Sequence, residues 1–183
     1  MRSRPRHPLG IALALGLLVG GRAEAVELGL AAELTGGGGW RVAVGGENRA
    51  PGFEVLYGGA DGLVGLSVGG FFAVLAGAHV RGGTSDGLRY LEGGADLAAQ
   101  LQVSERVRLR AGGSFGRAFL GLDGASAWLP QGFLGASFDA KPFAAGRLAL
   151  ALALRLEVGG YIGDDLRFPA ATLALSIGGG GRF

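Results

Sequence analysis

The sequence predicts an all-β fold: an eight-stranded antiparallel transmembrane β-barrel, preceded by a cleaved signal peptide. Three observations carry that expectation. The first residues are built like an export signal, apolar and polar residues alternate with a period of two through nearly every later segment, and the chain is rich in glycine. There are 39 glycines among 183 residues, 49% of which are hydrophobic, yet no apolar run after residue 25 is long and helical enough to span a bilayer. A soluble globule this rich in glycine would lose much backbone entropy on folding. In a closed barrel the same residues serve as turns, bends and room in a narrow lumen.

Residues 1–25 divide into a basic head (Arg2, Arg4, Arg6), an apolar stretch from Leu9 to Val19 and the small-residue exit Ala23-Glu24-Ala25. That is the plan of a signal peptide cut after Ala25, and the apolar stretch is shorter than the roughly 20 residues of a spanning helix. Residues 26–183 then form one barrel domain. Of 17 basic and 15 acidic residues, four bases and one acid precede Val26, so the remainder carries a formal charge of −1 and offers no footprint for nucleic acid. The absence of cysteine removes disulfides, thiolate metal sites, thiol nucleophiles and lipid-anchor acceptors. No cofactor and no metal site are expected.

The first strand is read at Val26–Thr35, with Val26, Leu28, Leu30, Ala32 and Leu34 on one face and Glu27, Ala31, Glu33 and Thr35 on the other. Trp40–Val44 is expected to extend the first hairpin above the membrane. Gly52–Gly58 is a weaker strand with Phe53, Val55 and Tyr57 outward and Glu54 inward. A turn at Gly58–Gly62 leads into a third strand, Leu63–Val80. Leu91–Val103 sets alternating leucines and alanines against Glu92, Asp96, Gln100 and Gln102, long enough to cross as a tilted strand of about 9–11 residues. Arg106–Gly116 places Arg106, Arg108, Arg110 and Ser114 opposite Val107, Leu109, Ala111 and Phe115. Leu129–Ala140 turns Leu134 and Phe138 outward and Gln131, Ser137 and Asp139 inward. Leu148–Ile162 sets five leucines and Val158 against Arg155, Glu157 and Tyr161. The last strand, Ala170–Phe183, carries Leu173, Leu175, Ile177 and Phe183 on its apolar face and Thr172 and Arg182 on the other. Seven Gly-rich or polar breaks join eight strands, with both termini periplasmic, short turns inside and longer loops outside.

A sandwich also gives alternation of period two, so the polar faces decide. They hold Glu27, Glu33, Glu54, Glu92, Asp96 and Glu157 against Arg106, Arg108, Arg110, Arg155 and Arg182. In a lumen barely wider than its side chains such acids and arginines can pair and avoid an isolated buried charge. Backbone pairing without an edge is also what lipid demands. Trp40, Trp128, Tyr57, Tyr90, Phe133, Phe143 and Phe168 fall near strand ends, where interfacial aromatics are expected.

With a signal peptide, about eight alternating strands and a last strand ending Arg182-Phe183, the chain resembles the small outer-membrane barrels of the OmpA and OmpX type. The resemblance implies a bacterial outer-membrane address after export. It also implies that Phe183, with Ile177, Leu175 and Leu173, is read by the barrel-assembly machinery. The partners it implies are outer-membrane lipid and lipopolysaccharide, with the barrel monomeric.

The function expected is a non-enzymatic outer-membrane barrel, structural or acting in surface interaction through Gly36–Pro51 and Arg117–Trp128. The alternatives are a lipid A-modifying enzyme and a narrow pore. An enzyme would need His79 as a base beside Ser85 or Ser126, and His79 is read instead as a lumen or rim residue bonded to Glu or Arg. A divalent cation at Asp164-Asp165 and Asp123 is possible in chemistry, but these acids read as solvated turns.

Overall fold

The computed structural model describes residues 28–44, 52–85, 88–121, 125–140, 148–163 and 167–182. Eight strands follow one another: β1 (Leu28–Ala43), β2 (Phe53–Val68), β3 (Phe72–Ser85), β4 (Leu88–Gln102), β5 (Val107–Leu120), β6 (Ala125–Ala140), β7 (Leu148–Ile162) and β8 (Arg167–Arg182). Each pairs antiparallel with the next, and β8 pairs with β1, so the sheet closes and no strand edge is left free. Closure is what allows a sheet to sit in a medium with no water for an open edge.

The strands carry the period-two pattern as the sequence suggests, because each has one face that tolerates lipid and one that must fit a narrow lumen. In β1 the even positions Leu28, Leu30 and Leu34 are exposed outward, while Ala31, Arg41 and Ala43 are buried inward. The outward rows of β4, β7 and β8 are Leu91, Leu97 and Leu101; Leu152, Leu154, Leu156 and Val158; and Leu173, Leu175 and Ile177.

The β2–β3 hairpin differs from the expectation. Gly58–Gly62 is barrel wall, and the chain turns at residues 69–71, where Gly69 and Gly70 adopt φ of +57° and +72°. Only such positive φ singles out a turn glycine. The glycines near residue 60 are extended and pair with β1, Gly37 opposite Gly59 and Gly38 opposite Gly58. With the strand uninterrupted, its faces reverse against the reading for residues 53–57: Val55 and Tyr57 are buried in the lumen and Glu54 is exposed. Likewise Gly36–Gly39 continue β1 to Ala43, so the segment Trp40–Val44, all but Val44, is wall and not a hairpin above it. Residues 117–120 and 125–128 belong to β5 and β6. The segments taken as long outer loops are therefore mostly strand. Upper connections occupy 44–52, 86–87, 121–124 and 163–166, and lower ones 69–71, 103–106 and 141–147, so longer loops do not distinguish the upper end.

Inside, apolar and ionic layers alternate. The upper layer packs Val55, Tyr57, Tyr90, Leu120, Leu129 and Tyr161 with four alanines, and Phe53 tilts against Tyr161 at 5.4 Å. A lower apolar layer joins Leu63, Leu75 and Phe133 to Ala31, Ala73 and Ala98. Large inward side chains lie over glycines of the neighbouring strand. A Cβ added at Gly94 would sit 2.7 Å from His79 Cε1, and one at Gly112 would sit 2.7 Å from Phe133 Cζ. In a lumen this narrow, a bulky residue on one strand needs a missing side chain on the next.

Candidate functional site

The polar lumen side chains gather into two clusters. The upper one is centred on Arg41, which β1 carries inward at its upper end and which is fully buried. Its guanidinium donates to Thr172 Oγ1 at 2.6 Å and to Glu157 at 2.9 Å, and it also pairs with Glu92 and the Tyr90 hydroxyl. Glu157 receives a bidentate pair from Arg81 at 2.7 and 2.8 Å, the planar geometry that makes such pairs strong. The Gln131 amide bridges the two, its NH2 placed to donate to Glu157 at 2.8 Å and its oxygen to accept from Arg41 at 3.1 Å.

Below them His79 stands between two carboxylates, Nδ1 at 2.8 Å from Asp96 and Nε2 at 3.0 Å from Glu92. Arg155 donates to Asp96 at 2.9 Å, lies 2.7 Å from Glu157 and stacks its guanidinium 3.7 Å from the Phe133 ring centre. Asp61 completes the group, 3.6 Å from Arg81. Charges this deep are tolerable because each has partners; removing one partner would leave the other desolvated and alone.

The lower cluster sits near the other mouth. Arg108 donates to Asp139 at 3.0 Å and pairs with Glu33, which also takes Arg110. Arg110 further donates to Gln100 at 2.7 Å. A cavity of about 40 Å³ lies against both clusters, touching Glu33, Arg108 and Arg110 on one side and Asp61 and Arg155 on the other. A second of about 30 Å³ is bordered by Tyr57, Asp61, Arg81 and Arg155. Such spaces hold a few waters at most, and the Tyr57 hydroxyl beside the second has no protein partner.

Of the residues read from sequence, Glu33, Arg108 and Arg110 meet in the lower cluster and Glu92, Asp96, Arg155 and Glu157 in the upper one. Two are placed elsewhere. Glu54 faces outward and accepts a hydrogen bond from Trp40 Nε1 at 3.1 Å, because β2 keeps its alternation past residue 58. Arg106 is exposed in the lower β4–β5 turn, one residue before β5 begins. Tyr57, Tyr90 and Phe133, expected at the interfaces, are lumen residues, whereas Trp40 and Trp128 are outward, 48% and 47% exposed. Glu27, Ala23, Ala25, Phe143, Phe183, Asp123 and Asp164-Asp165 lie outside the described residues, as do the side chains of Arg182, Phe168 and Ser85.

Sequence reading missed Arg41, Arg81 and Asp61 as members of the network, whereas His79, read as a lumen or rim residue bonded to Glu or Arg, is buried in the lumen against Glu92 and Asp96. The missed signal was simple parity: each shares odd or even numbering with its strand's buried row once the glycines are counted as wall. Among the described residues one group has metal-ligand composition, Asp61, His79 and Asp96, with donor atoms within 4.8 Å of one another. Its donors are already committed, since Asp96 uses one oxygen for His79 and the other for Arg155. A cation would also face Arg81 and Arg155, so the arrangement is that of an ion-pair cluster.

The outer wall completes the geometry. Leucine, valine, isoleucine and phenylalanine side chains from all eight strands point outward and are about half exposed or more, an apolar surface far beyond what a soluble monomer carries. Among the strand residues whose side chains are described, the outward charges are Glu54, Arg89 and Arg117, all toward the upper end. A closed, even-numbered antiparallel barrel with an apolar belt outside and paired polar groups inside has one home. The molecule is an outer-membrane β-barrel. No protein-family model and no curated protein sequence matches the chain. Among solved structures it is similar to Neisserial surface protein A at 15% identity and TM-score 0.49, covering 87% of this chain and all of that one. It is similar to Ail, the attachment invasion locus protein of Yersinia pestis, in complex with the heparin analogue sucrose octasulfate, at 16% identity and TM-score 0.49, covering 85% and 99%. It is also similar to OprG from Pseudomonas aeruginosa at 10% identity and TM-score 0.37, covering 83% and 95%.

Proposed function

We propose that this outer-membrane barrel is non-enzymatic and non-conducting, with a structural or surface-interaction role. The observation that carries the reading is the upper lumen, where fully buried Arg41 joins Glu92, Glu157 and Thr172 from three other strands beneath a layer of tyrosines and leucines. Ions would have to break several buried pairs to pass, and an eight-stranded barrel has little lumen to spare. Planar-bilayer recording tests this: the purified protein gives no current steps above leak, whereas reproducible steps would make it a pore.

The lipid A-modifying alternative loses support at His79. Both its ring nitrogens face carboxylates, and Ser126 lies on the outer face, where it accepts from Arg117. Ser114 is a lumen serine, but its hydroxyl makes no bond to His79 or to any other group, so among the described side chains no base is presented to a nucleophile. Lipid A from cells making the protein keeps the mass it has with His79→Ala; a mass change that disappears in the variant would reinstate an enzyme. The proposed partners are outer-membrane lipid, lipopolysaccharide and the assembly machinery, which would read the last strand, and the barrel acts as a monomer.

A further inference from the structure

We propose that the outer wall of β4–β6 holds the phosphate-bearing headgroup of an outer-leaflet glycolipid, with Arg117 as its anchor. The proposal rests on the outer-membrane reading, with both termini at the periplasmic end and the upper end therefore outside. Arg117 points away from the lumen, on a wall that apart from Arg89 and Ser126 is made of apolar side chains and glycine. An arginine facing lipid costs about 2–4 kcal/mol at the bilayer midplane and about 0–1 near an interface. Its place opposite Trp128 in the upper part of β5 is thus where such a charge is affordable.

The side chain is also held in place. Its guanidinium donates to Ser126 Oγ at 2.8 Å and lies 5.3 Å from the Trp128 ring centre and 5.8 Å from that of Phe119. Trp128 is itself stacked on Phe115 at 5.1 Å, with 18° between the planes. Among the described residues no carboxylate neutralises Arg117, and the outward acid Glu54 is three strands away on β2. A second outward cation is nearby. Arg89 lines, with Thr84, Leu91, Phe119 and Gly121, an open groove of about 340 Å³ beside the same Phe119. Two guanidiniums flanking one exposed ring, above an apolar wall, match an anionic headgroup whose acyl chains continue down the barrel. At the lower end the exposed cation among the described residues is Arg106, in the β4–β5 turn and outside the wall of the strands.

The test uses the full barrel in zwitterionic nanodiscs, in a Trp40→Phe background so that Trp128 alone reports. Titrated lipid A shifts Trp128 emission saturably, while its dephosphorylated form and inorganic phosphate at the same concentration do not. Arg117→Gln weakens lipid A binding at least about tenfold, the scale of one charge-assisted bond. Ser126→Ala and Arg89→Gln weaken it less, and Glu54→Gln leaves it unchanged. Arg117→Lys, which keeps the charge but not the planar stack, falls between. Heat-modifiable gel migration shows that each variant is folded, and its absence in the parent protein would sink the barrel reading rather than this one. Equal binding of dephosphorylated lipid, unaltered affinity in both Arg117 variants, or inorganic phosphate competing as well as lipid A would each overturn the proposal.

Discussion

The two ionic clusters of the lumen use the same residue types but sit in different surroundings. In the upper one the side chains of Arg41, Glu92 and Glu157 are 0–1% exposed, and every charge is shared among several partners from opposite walls. In the lower one Arg110 is 17% and Arg108 9% exposed, close to the mouth. Water replaces a lost partner more readily at the mouth than around Arg41, Glu92 and Glu157 beneath the tyrosine layer, so equal chemistry has unequal consequences. The upper cluster ties every strand but β5 across the lumen, with Asp61 from β2 and Gln131 from β6, while the lower one ties β1, β4, β5 and β6.

Perturbing the upper cluster has the largest expected effect. Glu157→Gln removes the carboxylate shared by Arg41, Arg81 and Arg155, and lowers stability by about 3–5 kcal/mol, read from urea unfolding in lipid vesicles. A loss below about 1 kcal/mol would mean the cluster is hydrated. Next in size is a change in the wall. Gly77→Ala drives a methyl into the Gly62 carbonyl, whereas at Gly93 the nearest atom is 3.8 Å away. The first variant loses about 1–3 kcal/mol and the second stays within about 0.5 kcal/mol, measured the same way; equal effects would mean that the wall at Gly77 has room for a side chain after all. Arg110→Met, in the lower cluster, loses about 1 kcal/mol or less. Glu54→Gln shifts stability by no more than about 0.5 kcal/mol, because Glu54 faces outward; a loss like that of Glu157→Gln would return it to the lumen.

The same contrast explains what could be read from the residues alone. The lower cluster was legible because Glu33, Arg108 and Arg110 stand in uninterrupted alternation. Leu148–Ile162 was legible for the same reason, and so were the outward rows of β4 and β8. Arg41 and Arg81 were not, since each lies next to glycines that look like loop. A glycine in a turn and a glycine opposite a bulky lumen residue are the same letter; only φ at Gly69 and Gly70, and the ring packed on Gly94, tell them apart. The misplaced β2–β3 turn then reversed the parity of residues 53–57 and sent Glu54 to the wrong side. The count of eight survived because the wall Gly58–Gly62, misread as a break, stood in for the unseen turn at 69–71.

The claim that the lumen holds two separate networks, with Arg41 at the hub of the upper one, is tested most directly by double-mutant cycles on unfolding in vesicles. Arg41→Met and Glu157→Gln are expected to couple by about 0.5–3 kcal/mol, whereas Arg41→Met and Arg110→Met add to within about 0.5 kcal/mol. Additive behaviour of Arg41 with Glu157, or coupling of Arg41 with Arg110 as large as that with Glu157, would contradict it.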